Sequence, residues 1–148
     1  QFIYQQLAAI SSNKSSYKKH LPAVKFRLAA LYRSNQQLPQ AVKIYRELIK
    51  RNPDSADTLY ALGHTYREME QWRNALETWR QLSDGLDAGS PHWFEARYQT
   101  ALSMQKLKRA DKACSIAKMT RILHPNLESS EFAPQFSTLE IQTCEPAK

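Results

Sequence analysis

Hydrophobic residues recur along the chain at helical spacing, in short stripes separated by polar segments. Leu59, Leu62 and Tyr66 fall on one helical face, and a second stripe begins at Trp72 and continues through Trp79. Apolar side chains three or four positions apart lie on one side of an α-helix. Neither stripe is long enough to bury itself, so the pattern predicts pairs of helices packed against each other.

The same pattern returns at a fixed period. A shift of 34 places residues 22–55 over residues 56–89, and size and polarity match in the columns of the apolar and small residues. A third copy follows at a shift of 38, with the four extra residues near 87–91, where a loop absorbs them. Matched columns of the first two copies include Leu28 with Leu62, Ala29 with Gly63, Tyr32 with Tyr66, Ala41 with Ala75, and Tyr45 with Trp79.

Helix start and stop signals agree with this division into pairs. Pro22, Pro39 and Pro91 suit the first turn of a helix, Ser90 suits a cap, and Gly85 suits the end of the second pair. The small residues of the two helices in a pair recur twelve positions apart. Because two helices approach closely only where side chains are small, these columns predict the crossing points.

At these residues the chain resembles the tetratricopeptide repeat (TPR) family. The second copy carries the family pattern at Leu62, Gly63, Tyr66, Ala75 and Trp79. The third copy is weaker, with Thr100, Met104 and Ala117 where Leu, Tyr and an aromatic residue are usual. The resemblance implies an all-α, right-handed α-solenoid of antiparallel helix pairs, with three repeats at residues 22–55, 56–89 and 90–126.

By the same resemblance, the first helices of the pairs line a concave groove that binds an extended peptide or a partner helix. The candidate groove residues lie opposite the packing stripes. They are Phe26, Arg27, Arg33, Asp57, Tyr60, His64, Arg67, Tyr98, Gln99 and Lys106. Phe26, Tyr60 and Tyr98 share one column, and such a ladder of rings beside arginines suits a segment with apolar or aromatic and acidic residues. The alternative is that these rings pack against the next helix pair.

One subclass of the family is excluded by its binding residues. TPR co-chaperones that clamp the C-terminal carboxylate of heat-shock chaperones use Lys, Asn and Arg side chains on successive helices. The matching columns here hold Phe26, Ala30, Ala61, Glu95 and Gln99. We therefore do not expect that chaperone partner.

The two ends differ from the repeats. Residues 1–21 predict an N-terminal helix over 1–10, either a cap or the remnant of a preceding repeat, and then a linker from Ser11 to His20. Residues 127–148 form an acidic tail whose apolar residues suit the exposed face of the last repeat. Pro134 and Pro146 disfavour a long capping helix there. The apolar residues of the two ends are Phe2, Ile3, Leu7, Ile10, Phe132, Phe136, Leu139 and Ile141.

The amino-acid composition disfavours several classes of protein. Only 3 of 148 residues are Gly, which disfavours β-rich and nucleotide-binding folds, because tight hairpins and phosphate-binding loops need glycine. No apolar run approaches the roughly 20 residues that span a bilayer, so we expect a soluble, folded domain. The chain begins with Gln1, which suggests an excised or processed piece. Its localisation is then almost unconstrained, with the cytoplasm slightly favoured.

The net charge of +7 makes nucleic-acid binding the competing function. Basic residues cluster near the start and in the third pair. The clusters contain Lys14, Lys18, Lys19, Lys25, Arg27, Arg33, Lys106, Lys108, Arg109, Lys112, Lys118 and Arg121. Residues 56–89 and 128–148 are each −3, and the groove set is nearly balanced, so we favour a protein partner. Self-association through the acidic tail is a further alternative.

No motif for catalysis, metal or cofactor binding is present, so we expect no enzyme activity, no metal and no cofactor, and no small-molecule substrate. His92 with Glu95, and His64 with Glu68, are pairs at helical spacing that occur commonly without chemistry. Cys114 and Cys144 form no CxxC motif. We expect both to be free thiols.

Overall fold

The protein folds as a series of α-helices joined by short turns. The structure, a computed structural model, describes residues 2–6 and 15–145. The helices after the short helical segment at 2–6 are α1 (Leu21–Ser34), α2 (Leu38–Arg51), α3 (Ala56–Glu68), α4 (Trp72–Asp84), α5 (Pro91–Lys106), α6 (Ala110–Leu123) and α7 (Ala133–Thr143). Two 3₁₀ helices, Ser15–His20 and Pro125–Ser129, complete the fold. These ranges contain no β-strand, which confirms the all-α prediction.

Helix starts follow the predicted signals. Pro22, Pro39 and Pro91 each lie in the first turn of a helix, where the missing N–H has no intrahelical acceptor to lose. Ser90 caps α5, because its Oγ accepts a hydrogen bond of 3.4 Å from the backbone N–H of Trp93. The insertion of the third copy lies in the loop between α4 and α5.

Consecutive helices pack as pairs at the predicted small residues. Ala29 of α1 and Ala41 of α2 are completely buried, and so are Ala101 of α5 and Ala113 of α6. A methyl group is the largest side chain that lets two helix axes approach to about 8 Å. The alanines of the small columns are thus completely buried in these two pairs, where the closest helix contacts are predicted.

The turn inside each pair uses a left-handed residue that is not glycine. Gln36, Glu70 and Lys108 have φ of 61°, 56° and 63°, and they occupy equivalent positions of the three copies. The residue after Gln36 donates its N–H to the Tyr32 carbonyl at 2.8 Å, and the residue after Lys108 donates to the Met104 carbonyl at 2.9 Å. These bonds satisfy carbonyls at the helix end that have no intrahelical partner. Their free energy offsets the cost of the left-handed conformation.

The chain divides into two compact units, residues 1–69 and residues 70–148. The boundary falls inside the second predicted repeat, at the turn between α3 and α4. Unit 1 contains α1, α2 and α3, and unit 2 contains α4 to α7. We describe each unit by itself.

The N-terminal segment contacts α1. Residues 2–6 are helical, and Gln5 Nε2 donates a hydrogen bond of 2.6 Å to the Tyr32 hydroxyl. Residues 15–20 of the predicted linker form a 3₁₀ helix that runs directly into α1, so this part of the linker prediction is wrong. Residues 7–14, with Leu7 and Ile10, lie outside the described residues.

The tail forms a helix despite its prolines. Pro134 lies in the first turn of α7, where it is compatible with the helix, and Pro146 lies outside the described residues. Phe136 and Leu139 are buried against α5 and α6. Ile141, which also appeared suited to packing, is instead 82% exposed.

The prediction of two free thiols is wrong. Cys114 in α6 and Cys144 just after α7 form a disulfide, with the two Cα atoms 5.0 Å apart. The sequence shows that they are 30 positions apart. It does not show that α7 folds back along α6 and brings its end beside the first turns of α6.

We predict that reduction of the disulfide destabilises unit 2. Closing a loop of this length restricts the unfolded chain and is expected to contribute ~3–4 kcal/mol to the free energy of unfolding. All three tryptophans, Trp72, Trp79 and Trp93, lie in unit 2, so their fluorescence in urea measures the change with and without a phosphine reductant. A difference below ~1 kcal/mol would contradict the predicted contribution.

The loop before α5 is fixed by Gly89. Gly89 has φ of +84°, its carbonyl accepts a hydrogen bond of 3.0 Å from Asn126 Nδ2, and an added Cβ would lie 3.2 Å from His124 Nδ1. The residues inserted between α4 and α5 therefore dock on the chain that follows α6.

We predict that Gly89→Ala lowers the free energy of unfolding of unit 2 by ~1–2 kcal/mol, because L-residues are strained at positive φ. Gly85→Ala is the matched control. Gly85 has φ of −93°, and an added Cβ would lie 3.7 Å from the Leu82 carbonyl oxygen, which is ordinary van der Waals contact. Urea unfolding followed by tryptophan fluorescence should separate the two variants, and equal midpoints would show that the Gly89 conformation carries no cost.

Candidate peptide-binding surface

The first helices of unit 1 present the predicted polar and aromatic residues away from the buried stripe. On α3, Leu59 and Leu62 are buried, whereas Asp57 is exposed and Tyr60 is 38% exposed. The Tyr60 and His64 rings lie one turn apart, with their centres separated by 4.6 Å and their planes at 67°. Tyr60 thus has a neighbour that orients its ring and a face that remains accessible.

The aromatic column is only partly open. Phe26 is half-buried because its ring contacts Tyr45 of α2 edge-on, with the centres 5.7 Å apart. Arg27, one position further on, is exposed. In unit 1 the column therefore contains one ring that packs against the second helix of its pair and one, Tyr60, that is 38% exposed.

The C-terminal ends of α1 and α3 form a cleft in unit 1. The Arg33 guanidinium donates to Glu68 Oε1 through Nε at 2.8 Å and through one terminal nitrogen. The cleft has a volume of about 390 Å³. Its lining residues are Ala30, Arg33, Ser34, Gln36, Tyr45 and Glu68.

Tyr45 has a shifted acidity in this environment. Burial of the phenol raises its pKa above the usual value, Arg33 opposes the shift, and Glu68 adds to it. The neutral hydroxyl is thus the form that the folded protein favours. The Tyr45 hydroxyl and the Arg33–Glu68 pair give the cleft both donors and acceptors.

In unit 2, the residues in the equivalent repeat columns have different surroundings. Tyr98 is half-buried, and its ring contacts Phe136 of α7 with the centres 6.0 Å apart. Gln99 is only 4% exposed, so its side chain does not contribute to an open surface. Lys106 is exposed and its Nζ lies 5.7 Å from the centre of the Trp72 ring.

A partly buried arginine in unit 2 was not among the predicted residues. Burial lowers the pKa of Arg97, Asp84 opposes this, and Arg80 adds to it. The Arg97 guanidinium carbon lies 5.5 Å from the Trp93 ring centre, one turn earlier on α5. The signal available in the sequence was the Trp–x–x–x–Arg spacing, which places both side chains on one helix face.

The cleft residue Tyr45 was also absent from the predicted set. Tyr45 matched the column of packing aromatics, and nothing in the sequence shows that it borders a cleft. Glu68 follows Arg33 by 35 positions, one residue more than the repeat period. Opposite charges in neighbouring columns of successive first helices were therefore the available signal.

Two classes of site are not found in the described part of the chain. No three His, Cys, Asp or Glu side chains within residues 2–6 and 15–145 converge in a way that suits a metal ion. In the same ranges, no helix combines the length and hydrophobicity needed to cross a bilayer.

We predict that Tyr45 makes the stability of the protein fall at alkaline pH. Its folded-state pKa lies above the unfolded value of about 10, so the folded protein holds the proton more tightly. The stabilisation is complete below that pH and is lost as the pH rises through the folded-state pKa. Urea midpoints at pH 8 and pH 11, followed by circular dichroism, should fall further for the wild type than for Tyr45→Phe. Equal decreases in the two proteins would contradict this assignment.

Models of the TPR family match three parts of the chain. A TPR repeat model matches residues 29–70, and two tetratricopeptide repeat models match residues 58–88 and 95–126. No curated protein sequence matches significantly.

Solved structures share the fold at low sequence identity. The chain is similar to the TPR2B domain of yeast Sti1, in a structure titled as a complex with pHsp70, with 19% identity, a TM-score of 0.66, and 83% of this chain and 96% of that chain covered. It is also similar to a putative kinesin light chain of Podosopora anserina with nearly identical TPR-like repeats, at 16% identity, a TM-score of 0.67, and 97% and 86% coverage. YrrB, titled as a TPR protein with an unusual peptide-binding site, aligns with 19% identity, a TM-score of 0.59, and 89% and 65% coverage. The chain belongs to the tetratricopeptide repeat family.

Proposed function

We propose that this chain is a protein–protein interaction module, and that α1 and α3 of unit 1 bind an extended segment or a helix of the partner. The observation that carries the proposal is the exposed Tyr60 ring, oriented by His64 on a helix face that also holds Asp57 and Arg67. Tyrosine is enriched at protein interfaces, because it joins a large apolar ring to a polar hydroxyl.

The chemistry of this surface suits a partner with an apolar or aromatic residue next to an acidic one. Tyr and Arg dominate the binding energy of many interfaces, because they combine a large contact area with directional hydrogen bonds. Tyr60 offers a ring for stacking, and Arg27 and Arg67 offer planar donors for a carboxylate. Asp57 adds an acceptor on the same helix.

The cleft at the ends of α1 and α3 adds a place for one partner side chain. Glu68 already accepts from Arg33, so a carboxylate entering the cleft competes with Glu68, whereas an amide satisfies donors and acceptors together. The pair is partly exposed, so exchanging its partners costs little.

Two of the similar structures support this class of function. The Sti1 domain is named as part of a complex with pHsp70, and YrrB is named for a peptide-binding site. The carboxylate-clamp columns of this chain hold Phe26, Ala30, Ala61, Glu95 and Gln99, so we do not extend the chaperone partner to it.

Nucleic-acid binding receives less support from the basic clusters. Lys25 lies 3.8 Å from Glu47, Arg33 binds Glu68, and Arg121 binds Glu140 at 2.8 Å. These three cations have protein carboxylates as neighbours, which lowers their availability to phosphates. A phosphate-binding surface would also show affinity that falls steeply with salt.

We predict that the double variant Tyr60→Ala and Arg67→Ala loses the partners captured by the wild type from native extract. The loss should be at least tenfold, because the ring and the guanidinium are proposed as the main contacts. The matched control replaces Lys43 and Arg46, both exposed on α2 of the same unit, with Ala.

Circular dichroism should show equal helix content in the two double variants and the wild type. Capture from nuclease-treated extract should give the same proteins as capture from untreated extract. Unchanged recovery by the Tyr60/Arg67 variant would overturn the proposed surface, and loss of all partners after nuclease treatment would favour nucleic acid.

A further inference from the structure

In unit 2, α7 covers an apolar face formed by α5 and α6. Phe136 and Leu139 of α7 are buried in one cluster with Phe94 and Ala101 of α5 and Ala117 of α6. The Phe136 ring also contacts Tyr98. If α7 moves away, this face becomes a site shaped for a helix with an aromatic residue followed by Leu three positions later.

Few contacts outside this cluster retain α7. Arg121 donates to Glu140 at 2.8 Å, and Gln105 donates to Gln142 at 3.1 Å, both at the exposed surface. Exposed ion pairs and hydrogen bonds contribute little to stability, because water competes for the same groups. Phe136 and Leu139 are the α7 residues that are buried in the apolar cluster, and they hold the helix on this face.

The disulfide fixes the C-terminal end of α7. One end is connected to α6 through Pro125–Ser129, and the other is fixed by Cys144 to Cys114. Both cysteines are half-buried, so a small dithiol has access to them. Its thiolate attacks one sulfur, the protein S–S bond breaks, and its second thiol completes the exchange, leaving two protein thiols and an oxidised dithiol.

We propose that reduction makes α7 exchangeable between two copies of this chain. In the reduced protein, α7 of one copy docks on α5 and α6 of the second copy with the same Phe136, Leu139 and Glu140 contacts that it makes within its own chain. The second copy is the occupant because α7 is the helix whose fit to this face the structure displays. The intrachain disulfide then keeps the protein monomeric, and reoxidation across the interface produces a covalent dimer.

The experiment uses two full-length variants that each retain one thiol. Cys114→Ser keeps Cys144, and Cys144→Ser keeps Cys114. An equimolar mixture is freed of reductant and treated with oxidised glutathione, which takes two electrons and two protons from each pair of protein thiols and becomes two molecules of glutathione. Non-reducing gels and mass spectrometry then count the mixed dimers and the two homodimers.

Docking of α7 in trans should place Cys144 of one variant beside Cys114 of the other. We therefore expect mixed dimers in roughly tenfold excess over the homodimers, because docking raises the local concentration of the correct thiol pair. Random collision would instead yield only twice as many mixed dimers as either homodimer. That statistical mixture, or a lack of dimers, would overturn the proposal.

Two further substitutions in the Cys114→Ser chain test the contact itself. Phe136→Ala should remove the excess of mixed dimers, whereas Ile141→Ala, at an 82% exposed position of the same helix, should leave it unchanged. Equal yields from both would show that the pairing does not use the buried face.

A second measurement covers the case in which a single-cysteine variant does not fold. Wild-type chains labelled with ¹⁴N and ¹⁵N are mixed, reduced and reoxidised, and the Cys114–Cys144 peptides are examined for pairs that combine both isotopes. Mixed-isotope peptides support exchange, and their absence overturns it. Neither experiment involves Tyr60, so their outcome is independent of the surface proposed in unit 1.

Discussion

The burial of small residues in the helix pairs α1–α2 and α5–α6 is the constraint on which the rest of the fold depends. Ala29 with Ala41, and Ala101 with Ala113, have no exposed surface at all. Because these methyl groups let the helix backbones approach closely, larger side chains beside them are forced into the flanking space. The same contact determines which face of each first helix is buried and hence which face remains for a partner.

The third copy lacks the large aromatic residue that the first two copies have in one column, and the tail replaces its volume. Tyr45 and Trp79 fill the aromatic column of the first two copies, but the equivalent residue of the third is Ala117. Ala117 belongs to the cluster that contains Phe136 and Leu139 of α7. Side chains from outside the repeat thus supply the volume that the repeat lacks, which explains why a weak third copy is followed by an apolar segment.

Much of the fold could be predicted from the sequence, because paired helices require a local pattern of apolar stripes, caps and prolines. The periodic stripes, the Ser90 cap and the first-turn prolines predicted the repeat helices. The disulfide could not be predicted from the sequence, because Cys114 and Cys144 come together only when α7 folds back along α6. Gln36, Glu70 and Lys108 were missed because the left-handed turn here depends on helix-end hydrogen bonds and not on glycine. The exposure of single groove residues depends on what covers them, as Gln99 illustrates.

Tyr60 and Tyr98 show that the exposure of a groove residue depends on what covers it. They occupy the same column of the repeat, 38 residues apart. Phe136 of α7 covers Tyr98, whereas Tyr60 keeps over a third of its surface exposed within the described structure. Repetition alone therefore does not make a ladder of equivalent binding rings. A first-helix face is available to another protein only where no later segment of the chain occupies it, and α7 occupies the face around Tyr98.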